Sequence, residues 1–408
     1  MTNKQYIKVT KYSNKVVMTN IYEEFDFDYA YSYINEKYDK FSVGGGCTAV
    51  GKITKDDGLV IGRNMDLYIT EKPSFVIRTA VPGFKRTIGL SYPTNRGEDF
   101  NAVIEHGVDS ELYKVLPFLQ TDVLNEDGFY IETNMRNADY GDDGKSVFVC
   151  DGTSKDNSKF RLITLMLSQY LGSRCSTVDD ALKIVKEDLD LYTPASLKNG
   201  VDWNFCFLLA DATGKYGVLE IAQNKIVFNE AKQLNDKEMP LGACQTNFYI
   251  SKEFNTIEKM KCGVGRYDYI KSKWGSITNQ SDMYKALRDV SYFQCYFDNC
   301  KFNNLSEFVG YYKEDGKVFV SNRTIRRGNE NVVAWDYDYV TNPDNYEKVK
   351  EYINSCSFDI DRRKTNGSFW ESIFTIVVIP AKRSIFVRFN ENDDNTFSFD
   401  FSDWDKLL

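Results

Sequence analysis

The stretch Gly44-Gly45-Gly46-Cys47-Thr48, followed by a hairpin that ends in Gly62-Arg63-Asn64-Met65-Asp66, decides how the chain is organised. Asp57-Gly58 is a strong turn signal, and it separates two short runs that are typical of β-strands. Antiparallel pairing of these runs brings Arg63 back beside Cys47, with Asp66 a few residues further along. The local sequence therefore predicts that a thiol, a guanidinium and a carboxylate converge.

Histidine is nearly absent, since the 408 residues contain only His106, which has no recognisable motif around it. A Cys–His or Ser–His–Asp arrangement would have to use this one residue as its base. An α-amino group, with an unperturbed pKa of about 7.7–8.0, is the obvious substitute. We therefore interpret Cys47 as a nucleophile that becomes a chain terminus when the bond between Gly46 and Cys47 is cut.

Residues 1–46 differ in character from the rest of the chain. A strand is predicted around Val16, and the acidic, aromatic segment 21–38 predicts an amphipathic helix before the glycine run. These residues form either an ordinary N-terminal subdomain with a linker or a propeptide whose removal exposes Cys47. Glycine at position 46 suits the second interpretation, because it can adopt the strained geometry that an N-to-S acyl shift needs. We predict a propeptide of residues 1–46 and a catalytic domain of residues 47–408.

Composition excludes several classes of protein. The net charge of −8 comes from interspersed signs, so a basic nucleic-acid-binding face is not expected. The sequence has neither a secretory signal nor a run of about 18 apolar residues, which predicts a cytoplasmic protein without a membrane span. Nine cysteines without a C-x-x-C pair do not form a disulfide framework or a zinc site. We expect no metal and no cofactor.

Strands arranged in hairpins, with helices inserted between groups of strands, predict an α+β fold with stacked antiparallel sheets and helices outside. The predicted helices cover Phe160 to Tyr170, a segment opened by Ser176-Thr177, the region 261–270 and a helix capped by Ser281. The polar residues 300–350 follow no pattern that predicts their organisation.

Several motifs resemble one known family. Cys47, Arg63 and Asp66, in Cys-Thr…Gly-Arg-Asn-Met-Asp, resemble the opening of the choloylglycine hydrolase and penicillin V acylase family. These proteins are N-terminal-nucleophile (Ntn) hydrolases of linear amides. The later segments that are also similar are Leu124 to Gly128 with Asn134, Phe207 to Gly214 with Glu220, Thr246-Asn247-Phe248 and Gly265-Arg266-Tyr267. The resemblance implies a four-layer αββα sandwich. The glycine-ended propeptide and the short interval between Asn247 and Arg266 are similar to the self-cleaving acyl-coenzyme A:6-aminopenicillanic acid acyltransferase-like branch.

The resemblance also implies roles for six residues. Cys47 attacks the amide carbonyl, and its freed α-amine acts as base and then as acid. Asp66 holds that amine, Arg63 favours the thiolate, and Arg266 fixes its neighbours. Asn134 and Asn247 hydrogen-bond the oxyanion or the ammonium. Taken singly, each also has a plainer interpretation: a surface ion pair for Arg63 and Asp66, strand ends for Asn134 and Asn247, and a helix cap for Arg266.

Three functions are consistent with these residues. The first is hydrolysis of an N-acyl amino acid, a conjugated bile acid, a penicillin V-like amide or an acyl-homoserine lactone. The second is acyl transfer from the same acyl-enzyme to an amine, and the third is binding by a scaffold that has lost activity, against which the six retained residues argue. The partner is a small-molecule amide. Neither the oligomeric state nor the association of a cut propeptide follows from the sequence.

Overall fold

Two β-sheets stacked face to face carry the fold, as seen in a computed structural model. The described residues are 7–13, 16–21, 25–37, 46–68, 74–91, 114–136, 146–193, 204–258, 263–291, 310–314, 317–321, 333–336, 370–389 and 396–402. The first sheet has nine strands in the order β1-β2-β5-β6-β7-β8-β11-β12-β13, and the second has six in the order β14-β3-β4-β18-β19-β20.

The strands of the first sheet are Ile7–Ser13 (β1), Val16–Ile21 (β2), Ser74–Thr79 (β5), Thr87–Ser91 (β6), Asp122–Asn125 (β7), Tyr130–Met135 (β8), Phe205–Ala210 (β11), Tyr216–Ala222 (β12) and Lys225–Glu230 (β13). Those of the second are Gly46–Thr54 (β3), Gly58–Tyr68 (β4), Cys244–Gln245 (β14), Trp370–Ile379 (β18), Ser384–Phe389 (β19) and Thr396–Phe399 (β20). Outside the sandwich, Phe160–Ile163 (β9) pairs with Leu189–Tyr192 (β10). A further three-stranded sheet consists of Gly310–Glu314 (β15), Lys317–Ser321 (β16) and Val333–Asp336 (β17).

Alternate residues of the hairpin formed by β3 and β4 face either the first sheet or the helices outside the second sheet. A Cβ atom built on Gly51 would lie 2.6 Å from Tyr216 of the first sheet, so this face of the hairpin lies against that sheet. A Cβ atom built on Gly62 would lie 2.6 Å from Leu287, on the opposite face. Because neighbouring strand residues point to opposite faces, Cys47 and Arg63 share the face of Gly51 and point between the two sheets.

Helices cover both outer faces. The helices among the described residues are Phe27–Lys37 (α1), Leu167–Gly172 (α2), Val178–Glu187 (α3), Lys252–Asn255 (α4), Val264–Lys273 (α5) and Gln280–Asp289 (α6). Residues of α1, α2 and α3 share one apolar cluster with the outer face of the first sheet. Residues of α5 and α6 pack with the second sheet in the cluster that also fills the space between the sheets. The predicted α+β class and the four-layer αββα order are confirmed.

Local predictions were wrong in three places. Phe160 to Ile163 is a strand, because it pairs in parallel with β10, and helix begins only at Leu167. The last helix is capped by Asn279, whose side chain accepts from the Asp282 amide, and Ser281 lies inside it. The first sheet is not wholly antiparallel, since β2 runs parallel to β5. The hairpin, α3 and α5 were predicted correctly, whereas His106 lies outside the described residues.

The N-terminal segment is built into the sandwich. Strands β1 and β2 extend the first sheet, and β2 pairs with β5 from Val16↔Ser74 to Ile21↔Thr79. Helix α1 buries Ala30, Tyr33 and Ile34 against the outer face of that sheet. Residues before Cys47 therefore belong to the same apolar core as residues after it.

Two absences concern the described part of the chain. No helix there is long and apolar enough to cross a membrane. Within the same ranges, no cluster of potential metal ligands occurs, and the cysteines at 47, 150, 175, 206 and 244 are free thiols.

Candidate active site

Cys47 lies at the start of β3, where β4 returns beside it. The register pairs Gly46 with Asp66, Cys47 with Met65 and Ala49 with Arg63. The turn at residues 55–57 sets this register, and Gly58 opens β4 directly after it at φ +70°, a backbone conformation that glycine adopts without strain. The hairpin therefore brings Arg63 to the face that carries Cys47, whereas Asp66, which pairs with Gly46, lies on the opposite face.

The thiol is buried and faces a guanidinium. Cys47 is only 2% exposed, and its Sγ lies 3.6 Å from Arg63 NH2 and 3.7 Å from Met65 Sδ. Burial raises the pKa of the Cys47 thiol to about 11, although Arg63 and Arg266 oppose that shift. Loss of solvation thus outweighs the attraction of the two arginines. The uncut chain holds a thiol that is protonated at neutral pH and needs a base.

Arg63 is held by two buried carboxylates. Its NH1 donates to Asp122 Oδ2 at 2.6 Å, its Nε to Glu132 Oε2 at 3.1 Å, and its NH2 to the Thr133 carbonyl at 2.8 Å. The side chains of all three charged residues are fully buried. Sequence reasoning missed Asp122 and Glu132, for which the available signal was a carboxylate within a strand-forming run. Arg63 is thus an internal cation, and the surface-pair interpretation of Arg63 and Asp66 does not apply.

Replacing Arg63 by methionine is expected to lower the free energy of unfolding by about 3–5 kcal/mol, because it leaves two carboxyl groups buried without their cation. Urea unfolding followed by circular dichroism at neutral pH measures this change. The triple variant Arg63→Met, Asp122→Asn, Glu132→Gln should recover much of the loss. A single variant as stable as the wild type would mean that Asp122 and Glu132 do not depend on Arg63.

Glu132 connects Arg63, which faces the Cys47 sulfur, to Gln245, which lies two residues before Asn247. Its Oε2 accepts from Arg63, and its Oε1 accepts from the Leu208 amide at 3.1 Å and from Gln245 Nε2. Burial raises the pKa of Glu132 from 4.5 to about 7, although Arg63 opposes the shift. The folded protein therefore binds this proton more tightly than the unfolded chain does.

The raised pKa of Glu132 predicts a pH-dependent stability. Its stabilising contribution is fully present below about pH 4.5 and is lost as the pH rises through about 7. Between about pH 5 and 8, the free energy of unfolding of the wild type should fall by roughly 1–3 kcal/mol relative to Glu132→Gln, whose amide does not titrate. Urea unfolding at several pH values measures the two slopes. Parallel slopes would exclude Glu132 as the titrating group.

The nitrogen of Cys47 is held by Asn247. Cys47 N donates to Asn247 Oδ1 at 3.0 Å, across 200 residues of sequence. Asn247 Nδ2 donates to the Met135 carbonyl at 2.7 Å, which fixes the direction of the amide. Asn247 Oδ1 also accepts from Arg266 NH2 at 2.7 Å. Both ends of the Asn247 amide are therefore engaged, with the oxygen directed at the Cys47 nitrogen.

Arg266, at the start of α5, binds both strands of the hairpin. Its NH1 donates to the Cys47 carbonyl and to Thr48 Oγ1, both at 2.7 Å, and lies 3.3 Å from Asp66 Oδ2. Asp66 Oδ1 accepts from Ser372 Oγ at 2.5 Å. The contacts described for Asp66 thus orient Arg266, while the contact to the Cys47 nitrogen comes from Asn247. The sequence predicted no role for Thr48, which follows Cys47 in the motif, or for Ser372, which has no motif around it.

Gly263 lies so close to the Arg266 side chain that a larger residue would displace it. It precedes α5 at φ +84°, and a Cβ atom there would lie 2.8 Å from Arg266 NH2 and 2.6 Å from Thr246 Oγ1. Both the backbone conformation and the space exclude a side chain at this position. The turn before α5 thereby allows Arg266 to reach the hairpin.

Asn134 lies against the segment that carries Asn247. Its Nδ2 is 3.5 Å from the Gln245 carbonyl and 3.4 Å from the Thr246 carbonyl. Its Oδ1 is buried without a partner among the described residues. The structure therefore brings Asn134 to the same segment as Asn247, and the six residues named from the sequence lie in one contiguous hydrogen-bonded region.

Comparison by sequence finds no protein-family model and no curated protein that matches the chain. Comparison by structure finds conjugated bile acid hydrolase from Clostridium perfringens, in two variants, each with a TM-score of 0.42 and 11% identity over 87% of this chain and 92% of that chain. It also finds penicillin V acylase from Agrobacterium tumefaciens, with a TM-score of 0.39 and 14% identity over 87% of this chain and 86% of that chain.

Proposed function

We propose that the chain is a self-processing cysteine Ntn hydrolase, which cleaves the C–N bond of a linear, non-peptide amide. The observation that carries this proposal is the hydrogen bond from Cys47 N to Asn247 Oδ1 at 3.0 Å, in a residue whose thiol faces Arg63. In the uncut chain this nitrogen is an amide and cannot act as a base. Cutting the bond before Cys47 turns it into an amine on the nucleophile's own Cα atom.

The bonds and atoms exchanged in self-processing belong to the Gly46–Cys47 junction and to water, and water carries the thiol proton to the Cys47 nitrogen. The Cys47 sulfur attacks the Gly46 carbonyl carbon, and the C–N bond breaks as the Cys47 nitrogen takes a proton. The resulting thioester is hydrolysed by water, which gives a Gly46 carboxylate, a free thiol and a free α-amine. Asn247 Oδ1 already lies at the nitrogen that is released, so the base forms in a position where its proton has an acceptor.

Amide hydrolysis then uses the new amine twice. The amine takes the thiol proton while sulfur attacks the substrate carbonyl, and it passes that proton to the leaving amine as the thioester forms. Water next attacks the thioester, with the same amine as base, and releases the acid. An unperturbed α-amine has a pKa of about 7.7–8.0, far better placed for this work than a buried thiol. Arg63 stabilises the thiolate, and Asn247 holds the ammonium.

The test is intact-mass analysis of the purified wild type, followed by an acyl-donor screen. We expect a fragment that begins at Cys47 and a second fragment of residues 1–46. Penicillin V, conjugated bile acids, N-acyl amino acids and acyl-homoserine lactones form the screen, with and without an added amine. Acid release in water supports hydrolysis, and transfer to the amine instead of water would support an acyltransferase. Hydrolysis by an uncut chain would exclude the α-amine mechanism.

A further inference from the structure

Three consecutive residues, the last two of β8 and Arg136 directly after it, form hydrogen bonds with residues 245–247. Asn134 Nδ2 lies near the Gln245 and Thr246 carbonyls, and the Met135 carbonyl accepts from Asn247 Nδ2 at 2.7 Å. Arg136 completes the series. Its NH2 donates to Gln245 Oε1 at 3.1 Å, and its NH1 donates to the Thr246 carbonyl.

Arg136 is a buried cation without a role in the chemistry derived above. Its side chain is fully buried, and its Nε lies 2.7 Å from Cys206 Sγ. The guanidinium also lies over the Tyr249 ring, 5.4 Å from the ring centre. Burying an arginine costs free energy unless its donors are used, and here all three nitrogens have a partner. Two of these three partners belong to Gln245 and Thr246, the two residues that immediately precede Asn247 in sequence.

Gln245 connects Arg136 to the group of residues around Arg63, the guanidinium that faces the Cys47 sulfur. Its Oε1 accepts from Arg136, and its Nε2 donates to Glu132, which binds Arg63. A continuous buried path of hydrogen bonds therefore runs from Arg136 to the guanidinium that faces the thiol. Asn247, which binds the Cys47 nitrogen, and Arg63, which faces the Cys47 sulfur, are therefore both connected to Gln245.

We propose that Arg136 is a positioning residue: by fixing Gln245 and Thr246, it aims the Asn247 amide oxygen at the Cys47 nitrogen. This inference rests on the proposed function. A planar guanidinium can bind a carbonyl and an amide oxygen at once, in a fixed geometry, whereas a lysine ammonium is a point charge. Arg136→Lys therefore keeps the charge but releases one of the two contacts.

The experiment measures the cut rate and the pH dependence of Cys47 alkylation, neither of which needs a known substrate. In Arg136→Lys, self-cleavage followed by mass spectrometry should slow by about 10–100-fold, the cost of a small misplacement of reacting groups. In the cut protein, the pH profile of Cys47 alkylation by iodoacetamide should shift to lower pH. The reason is that Asn247 Oδ1 no longer accepts from the ammonium and so no longer favours the charged form.

Two further variants separate positioning from packing. Gln245→Met leaves Arg136 and its charge in place but removes the side-chain oxygen to which Arg136 donates, so the same shifts should occur even if Arg136→Lys does not fold. Arg388→Lys is the matched control, because Arg388 is equally buried but lies in β19, two strands beyond β4 in the second sheet. It should change stability and leave the cut rate and pH profile unchanged.

The outcomes distinguish this inference from the function on which it rests. If the wild type is never cut before Cys47, the proposed function and this inference both fail. If the wild type is cut, and Arg136→Lys and Gln245→Met match Arg388→Lys in cut rate and pH profile, only the positioning role of Arg136 fails. Slower cutting together with a shifted profile in both site variants supports it.

Discussion

Cys47→Ala is expected to leave the chain uncut before position 47 and to reduce amide hydrolysis by about 10⁴-fold or more, the usual loss when a nucleophile is removed. Both activities depend on the same sulfur atom, so both should disappear together. Intact mass and the acyl-donor screen measure them on one preparation. Because alanine fills most of the volume of the buried thiol, the variant should fold.

The matched control is Cys175→Ala, which removes a thiol that is equally buried but packs on the outer face of the first sheet. It should be cut completely and hydrolyse amides like the wild type. Cys47→Ser tests the nucleophile more finely, because a hydroxyl keeps the geometry but attacks more weakly. If Cys47→Ala were still cut at the same bond, another group would have to be the processing nucleophile.

Residues 1–46 are expected to remain bound after the cut, and a chain that begins at Cys47 without them is expected not to fold. The segment buries Met18, Ile21, Phe25, Tyr33 and Ile34. Each such side chain contributes about 1.5–3 kcal/mol by leaving water. Removing the segment would also expose the edge of β5, along which β2 pairs from Val16↔Ser74 to Ile21↔Thr79. An unpaired edge with an exposed apolar face favours aggregation.

Aromatic contacts tie the segment to the rest of the fold. Phe25 lies 4.9 Å from Phe84 and 5.7 Å from Phe118 between ring centres, and Phe27 lies 4.8 Å from Phe118. The Arg174 guanidinium lies over both Phe27 and Phe84, at 4.7 and 4.6 Å from their ring centres. These contacts lie on the outer face of the first sheet, so cutting the bond before Cys47 does not disturb them.

Size-exclusion chromatography tests this association. The two fragments of the cut protein should elute together in native buffer and separate in concentrated guanidinium chloride. Phe25→Ala should weaken the association by about 3–5 kcal/mol, the usual cost of emptying a buried aromatic site. Glu36→Ala, at an exposed position of α1, should not. Fragments that separate without denaturant would show that the segment is a removable propeptide.

Sequence reasoning identified the features that depend on short stretches of chain. The Asp57-Gly58 turn signal and the two flanking runs determine the hairpin, and the hairpin brings Arg63 to the face of Cys47 and pairs Asp66 with Gly46. Capping residues likewise fixed the start of α3, where Thr177 and Asp180 form a reciprocal capping box. The scarcity of histidine pointed to the backbone nitrogen as a base. In each case the physical cause lies within about twenty residues or in composition.

Only the tertiary structure decided what surrounds these groups. Asp122 and Glu132 lie 59 and 69 residues from Arg63, and Asn247 lies 200 residues from Cys47. Strand alternation predicts which face a side chain occupies but not which strand of another sheet lies opposite it. The Phe160 to Ile163 strand shows the same limit, because a distant pairing partner overrode its local pattern. Assembly of the layers raised the thiol pKa, placed Asn247 at the Cys47 nitrogen and made β2 and α1 part of the core, because burial and long-range pairing exist only once the layers have come together.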